Sequence, residues 1–378
     1  MIWLTLLIFI AVLAVLILVH ELGHFFTARK LGVAVEEFGF GFPPRMVTLF
    51  KKNGTIYSLN WLPLGGFVKL QGESDAARKK GDYGAATFPK KTKILLAGVL
   101  TNWLLAALLL SVLALTGLPK ILQNQVSIPS DTVLVSYPVE ITSITKNFPA
   151  AKAGFQTGDT IIRFDGQKVP SVNSLTKLIK LDRGKNVTVI YKRNGIEKNA
   201  KVGLKKDIKG EIFGAGLGQR ELIKATWSAP IVGVATTAQF TWLTIQGTGD
   251  LLGSLVNGLI SQLSPITSVR EKASLEIKAV GDSVTGPVGI IGKIFPAARQ
   301  AGLTQLIFLT AIISLSLAVM NILPIPALDG GRWFVLVIFR LLKKKLTRER
   351  EEKIQLIGFS VLMGLVILVT ITDVAKLF

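Results

Sequence analysis

Residues 2–24 read IWLTLLIFIAVLAVLILVHELGH, an unbroken apolar run that ends in two histidines with a glutamate between them. Ile2 to Val19 carries no charge and reaches the roughly 18–25 residues a helix needs to cross a bilayer core. On a helix, His20 and His24 project from one face, one turn apart. Two imidazoles so placed can grip a single zinc, while Glu21 sits near the metal's water as a general base. Ionisable groups are costly in lipid, and three clustered there call for a partner such as a metal. No other histidine occurs in the 378 residues. The run lacks a basic n-region and a small-residue cleavage site, so a retained helix is expected, not a removed signal peptide.

Composition widens this to the whole chain. Mean hydropathy is +0.50, yet 68 charged residues remain, which suits a membrane protein with substantial polar parts. Further span-length apolar stretches run from Ile94 to Leu118, Leu303 to Ile325 and Ile354 to Ile371. The net charge of +20 is concentrated: eleven Lys/Arg lie between Lys30 and Lys93, and seven between Arg340 and Lys353. Short basic loops beside spans stay cytoplasmic. Four spans then put both termini and 119–302 outside, with 30–93 and 340–353 inside. Anionic lipid headgroups, not nucleic acid, are the expected partner of these basic residues. Zero cysteines excludes disulfides and thiolate metal sites. Ala225–Gly249 is uncharged and long enough to cross, but a fifth crossing would separate the basic loops. Trp227 and Trp242 suit a headgroup boundary, so an interfacial helix is expected there, within a 222–302 region of interfacial helices and linker.

Residues 128–206 change character. β-branched runs at 160–164 and 186–191 are each followed by a turn signal, Asp165-Gly166 and Asn194-Gly195, with one Ser-capped helix over Ser171–Leu181 between them. Asn147 to Asp159, NFPAAKAGFQTGD, resembles the short helix and Gly-Asp turn of bacterial protease PDZ domains. Such a module captures an extended peptide at a sheet edge. A β-rich domain without a ligand is the plainer alternative.

Catalytic zinc takes three protein ligands and one open position. With no further His and no Cys, the third ligand must be a carboxylate: Glu36, Glu37, Asp329 or Asp373. Glu36 and Glu37 lie in a basic loop, the ordinary place for solvated charge, and Asp373 ends the last span in an expected wet position. Asp329 differs. Residues 303–339 would make a straight helix of about 55 Å against a bilayer core of about 30 Å. NILPIPALDGG, Asn321 to Gly331, supplies two prolines and two glycines to break it. Irregular backbone at membrane depth is tolerated where it is buried in protein or lines a cavity. An aspartate in that break is a functional candidate, although it could simply cap the restarting helix.

HELGH in a first span with Asn-x-x-Pro-x-Pro-x-Leu-Asp-Gly in a later one resembles the site-2 protease family of intramembrane zinc metalloproteases. The PDZ-like insert is similar to its bacterial, RseP-type branch, which cuts anti-sigma factors. The resemblance implies Zn2+ held by His20, His24 and Asp329, with Glu21 as base. It also implies a site reached by water from the cytoplasmic side. Asn321 matches the family asparagine that orients substrate or stabilises the developing oxyanion, a role suited to an amide N–H. Gly98 to Asn102 resembles a Gly-x-x-x-Asn element associated with substrate binding, with Val99 where the family often has proline. A packing notch is the simpler reading of Gly98.

In the first loop, two β-prone runs flank Asn53-Gly54, and Leu62 to Leu70 forms an apolar return through Gly65 and Gly66. Similar family members fold this region into a sheet with a membrane re-entrant element beside the active site. A helical substrate must unwind to be cut, and a strand edge near Gly65 and Gly66 could hold it extended.

The expected fold is therefore a polytopic α-helical membrane protein with four transmembrane helices, a β-rich PDZ-like extracytoplasmic insert and a re-entrant β-hairpin region. Its expected segments are 1–29, 30–93, 94–118, 128–206, 222–302, a broken helix 303–339, a basic loop 340–353 and 354–372. The expected function is zinc-dependent cleavage of single-span proteins in a bacterial inner membrane. Anti-sigma-factor-like proteins and signal-peptide remnants are the substrate classes, and a site-1 protease acts first. A non-proteolytic zinc-binding protein or a PDZ adaptor is the alternative.

Overall fold

The computed structural model describes residues 2–74, 77, 79–206, 212–283 and 285–376. It divides into two compact units, one formed by 1–112 with 230–378 and the other by 113–229.

In the first unit, α1 (Ile2–Lys30) leads into two long strands, β1 (Val35–Lys52) and β2 (Thr55–Leu70), and then α2 (Phe88–Thr116). Asn53 and Gly54 both take positive φ, 50° and 81°, the geometry of a tight hairpin turn whose twist matches its strands. The hairpin folds back on itself, so residues 37–40 pair with 56–59 on one side and residues 35–40 with 66–70 on the other. Residues 45–52 pair with 55–60. Glu37 locks the fold: Ser58 donates to it at 2.6 Å and Arg45 pairs with it through both Nε and Nη2. Those donors hold its carboxyl below the ordinary range, Arg45 contributing most.

Beyond α2 lies the second unit. Its small strands are β3 (Leu118–Pro119), β4 (Val133–Ser136) and β5 (Val139–Ile144), followed by α3 (Pro149–Lys152), β6 (Thr160–Phe164) and β7 (Gln167–Lys168). Then come α4 (Val172–Leu181), β8 (Asn186–Arg193), β9 (Ile196–Gly203), β10 (Ala215–Gly218) and β11 (Glu221–Lys224). One sheet has the order β10-β5-β6-β8-β9 with β7 on β6, and another the order β3-β11-β4. Alternate residues Val187, Val189 and Tyr191 of β8 are buried with Ile141, Phe164 and Leu175, the period-2 pattern of a half-covered strand. Ser171 caps α4 through a capping box with Ser174. The Gly-Asp turn is structural: Asp159 accepts from Arg193 Nε and Nη2, each at 2.7 Å, and from the Gln156 amide at 2.8 Å. This unit runs past the expected limit of 206, because β10 pairs with β5 and Phe213 joins its core. The stretch Ala-Gly-Leu-Gly has no β-branched residue to announce a strand.

The first unit resumes with α5 (Ala229–Gln262), α6 (Thr267–Ser283), α7 (Pro287–Gly289), a π turn (Ile290–Ile294) and α8 (Phe295–Gln300). Last come α9 (Leu303–Ile322), α10 (Asp329–Leu341) and α11 (Arg348–Ala375). Among the described residues, α1, α2, α9 and α11 are long and apolar enough to cross a membrane. Their outward leucines, such as Leu7, Leu104, Leu108 and Leu356, are exposed, as lipid-facing residues are.

The expected interfacial segment Ala225–Gly249 falls largely within α5. Gly233 packs against Ser111 with no room for a Cβ, and Trp103 donates to Thr241 at 3.0 Å. Eight residues along α5 thus match eight back along α2, so α5 lies lengthwise and antiparallel to a span. Its glycine and threonine are the small residues that let helices approach. α6 doubles back, with Gly258 against Ile277, and the chain returns to the Thr5 end of α1 at Arg299.

Candidate metal centre

The α1–α2 crossing builds the centre. A Cβ on Gly23 would lie 2.6 Å from the Ala97 carbonyl oxygen, so the two backbones touch. A Cβ on Gly98 would lie 2.4 Å from His24 Nε2 and 2.6 Å from His20 Nε2. Ile94, Gly98 and Asn102, at i, i+4 and i+8, therefore form one stripe facing both imidazoles. His24 Nδ1 donates to the Ile94 carbonyl at 2.8 Å.

The third element is the broken helix. α9 ends at Ile322, and α10 starts at Asp329. Cβ atoms on Gly330 and Gly331 would lie 2.1 Å from the Ile322 carbonyl oxygen and 1.9 Å from that of Ile325, so only glycine lets the chain fold so tightly here. Gln355 of α11 accepts the Ala327 amide at 2.7 Å and holds the loop. Arg332, one turn into α10, bonds Glu73 at 2.7 Å and Glu351 at 3.3 Å, anchoring the helix that presents Asp329.

Asp329 Oδ2 is thereby brought 3.0 Å from His20 Nε2 and 3.2 Å from His24 Nε2, with the two Nε2 atoms 3.2 Å apart. Ligand atoms around a tetrahedral zinc with bonds of about 2.0–2.1 Å stand about 3.3 Å apart. The triangle matches to within about 0.3 Å, and its donors, two imidazoles and a carboxylate, suit zinc. The other carboxylates considered are engaged elsewhere. Glu36 pairs with Lys69 at 2.9 Å, Glu37 with Arg45, and Asp373 accepts the Gly289 amide at 2.8 Å. Asp373 is buried, not wet, because it caps α7.

Glu21 lies beside β2. The Val68 amide bonds to its carboxylate, and a Cβ on Gly66 would come within 3.4 Å of its Cγ. Gly65 is buried at φ 102°, which places the chain at this turn in a region reserved for glycine. A polar cavity of about 830 Å³, lined by Glu36, Lys69, Glu73, Asp329, Arg332 and Glu351 among others, opens onto Asp329. Asn321 is half-buried on the last turn of α9, and among the described residues its side chain has no hydrogen-bond partner.

Asn102, expected as a substrate contact, has a buried side chain, 1% exposed, that faces His20 Nδ1. Sequence reasoning also missed how near Gly98 comes to the imidazoles, and the parts played by Ile94 and Val68. The 94/98/102 spacing was the available signal for the first two.

A His-His-Asp triangle, its histidines buried on a helix of bilayer length with a glutamate between them and its half-buried aspartate at the head of a second helix, defines the class of membrane-embedded metallopeptidases. The chain belongs to peptidase family M50, whose family model matches residues 8–365. A Clostridium acetobutylicum protein, provisionally named a zinc metalloprotease, is 31% identical over 367 residues, 97% of this chain and 96% of that one. Zinc metalloprotease RasP of Shouchella clausii is 28% identical over 458 residues, 99% of each chain. The PDZ domain of an SdrC-like protein from Listeria monocytogenes is 29% identical, covering 22% of this chain and 90% of its own, with a TM-score of 0.20. The protein is thus a zinc metalloprotease, which sets aside a non-proteolytic zinc binder or an adaptor.

Proposed function

We propose that the protein is an intramembrane endopeptidase that cuts single-span membrane proteins, with zinc held by His20, His24 and Asp329 and Glu21 as proton carrier. The observation that carries this reading is the 3.0–3.2 Å triangle of donor atoms beside Glu21. When bound, zinc supplies the Lewis acidity that polarises a scissile carbonyl. Glu21 takes a proton from the attacking water and gives it to the leaving nitrogen. The unpartnered Asn321 amide suits a donor to the developing oxyanion.

Extended substrate would add to the free side of residues 66–70, which among the described residues pair with a strand on one side only. Gly65 and Gly66 lead into this segment, with Gly66 next to Glu21. The β-rich second unit would capture or sterically filter substrates already trimmed by a site-1 protease. Anti-sigma-factor-like proteins and signal-peptide remnants are the substrate classes. The charge bias supports a bacterial inner membrane, with 30–93 and 340–353 on the cytoplasmic side against anionic headgroups and both termini and the second unit outside.

The test is Glu21→Gln, measuring bound zinc and cleavage of a single-span substrate together. Zinc should be retained and cleavage lost; undiminished cleavage would refute the role of Glu21. Reporter fusions after Ser171 and Lys344 should lie on opposite membrane faces.

A further inference from the structure

Each imidazole of the triangle has a second nitrogen, and the partner of that nitrogen decides which one carries the hydrogen. A carbonyl oxygen only accepts, so the Ile94 contact puts the hydrogen of His24 on Nδ1 and leaves Nε2 a free lone pair. Among the described residues, His20 has no such carbonyl. Its Nδ1 faces the Asn102 carboxamide, with Nδ2 at 3.5 Å. Two amine-type groups facing each other cannot both be satisfied when Nδ1 carries the hydrogen. The buried Oδ1 of Asn102 meanwhile has no hydrogen-bond partner among the described residues. Both faults share one remedy. Amide oxygen and nitrogen exchange places on a half-turn of the terminal side-chain torsion, and the hydrogen-bond network decides between the two settings. Turned so, Oδ1 meets Nδ1–H, and the orphan acceptor is used.

The surroundings hold Asn102 for this task. Ser314 Oγ of α9 donates to the Asn102 backbone carbonyl at 2.8 Å, and Ser314 is wholly buried. α2 is thereby pinned to α9 at the residue that faces His20. One turn away, Gly98 lets α2 approach both imidazoles.

We propose that Asn102 is a positioning residue for His20: its Oδ1 accepts the Nδ1 hydrogen, which orients the ring and keeps the Nε2 lone pair for the metal. This rests on reading His20 as a ligand. Partners of this kind commonly sustain metal affinity by 10–100-fold. Asn102 does for His20 what the Ile94 carbonyl does for His24, but a side chain does it and mutation can remove it.

The chain has only two histidines, so 15N-histidine labelling of the full-length protein, carried on a tag without histidine, reports on these two rings alone. Zinc affinity by chelator competition and the imidazole 15N spectrum would be measured for the wild type, Asn102→Leu and Asn102→Asp. Leu keeps the approximate shape without an acceptor, and Asp offers only acceptors when ionised. The leucine variant should lose zinc affinity by 10–100-fold and show a changed Nδ1 signal for one ring only. The aspartate variant should keep affinity within about threefold and retain both Nδ1–H signals. Loss of affinity in the aspartate variant would overturn the proposal, since it would mean that Asn102 donates. Unchanged affinity and spectrum in the leucine variant would overturn it too. If zinc shifts neither imidazole of the wild type, the ligand reading itself fails, a result distinct from either variant's.

Discussion

Replacing Gly98 by alanine tests the centre without touching any proposed ligand or proton carrier. The added Cβ would stand 2.4 Å from His24 Nε2, whereas ordinary contact begins near 3.4 Å, so something must move by about 1 Å. The imidazoles cannot yield freely, because His24 Nδ1 is held by Ile94 on the same helix as the intruding methyl. Nor can α2 withdraw alone, since that would break this bond and open the backbone contact at Gly23. Metal–ligand distances tolerate only about 0.2 Å of error. Zinc affinity should therefore fall at least 10–100-fold, on the scale of losing an outer partner. Cleavage should fall about 100-fold, as for a 1 Å misplacement. Overpacking should cost the metal-free protein about 1–3 kcal/mol. Chelator competition and cleavage of a single-span substrate, both in detergent, measure the first two effects. Gly364→Ala is the control, because no atom of the described residues lies within 4 Å of the Cβ it adds. A Gly98→Ala protein with wild-type zinc affinity and turnover would refute the close approach of α2 to the histidines.

Three further outcomes are expected. Asp329→Ala should abolish stoichiometric zinc by elemental analysis; undiminished zinc would reopen the identity of the third ligand. Gly331→Ala should displace the loop before Asp329, because its Cβ would fall 1.9 Å from the Ile325 carbonyl oxygen. Lowered zinc occupancy with intact strands in the second unit is the sign of that, and wild-type occupancy would count against it. In the second unit, burial alone would raise the Asp159 carboxyl, but Arg193 and the Gln156 amide outweigh it and hold it below the ordinary range. Its stabilisation is then complete above the unfolded value of about 3.9 and is lost as pH falls through the lower folded value. Asp159→Asn should weaken hydrogen-exchange protection of β5–β9 in the full chain at pH 7, by about 1–3 kcal/mol, the scale of a lost charged hydrogen bond. That deficit should hold to pH 5 and shrink only below about pH 4, whereas a deficit that changes between pH 7 and 5 would contradict the pairing.

Much of the architecture was legible because it depends on local chemistry. The runs at Ile2–Val19 and Leu303–Ile325 announce spans by length and apolarity alone. Asn53-Gly54 and Asn194-Gly195 announce hairpins, since positive φ is cheap there. Features lacking a local signature were missed. Strand β10 is half glycine, and only its pairing with β5 reveals it. The threonines and glycines of α5 carry no such signature either, because their fit against Ser111 and Trp103 depends on where α2 runs.

The site divides in the same way. Sequence by itself determined that two histidines share a helix face and that any third protein ligand must be a carboxylate, because spacing and composition admit nothing else. It also determined that the helix must break near Asp329, since 37 residues overrun a bilayer. Only the tertiary structure decided that Oδ2 of Asp329 closes a 3.0–3.2 Å triangle with His20 and His24. It alone set Asn102 as a buried neighbour of His20 and made Gly98 the gap through which α2 approaches. Spacing along one helix sets which side chains share a face. What faces them across a helix–helix contact depends on the crossing point and rotation of a second helix, which backbone packing at Gly23 and Gly98 settles.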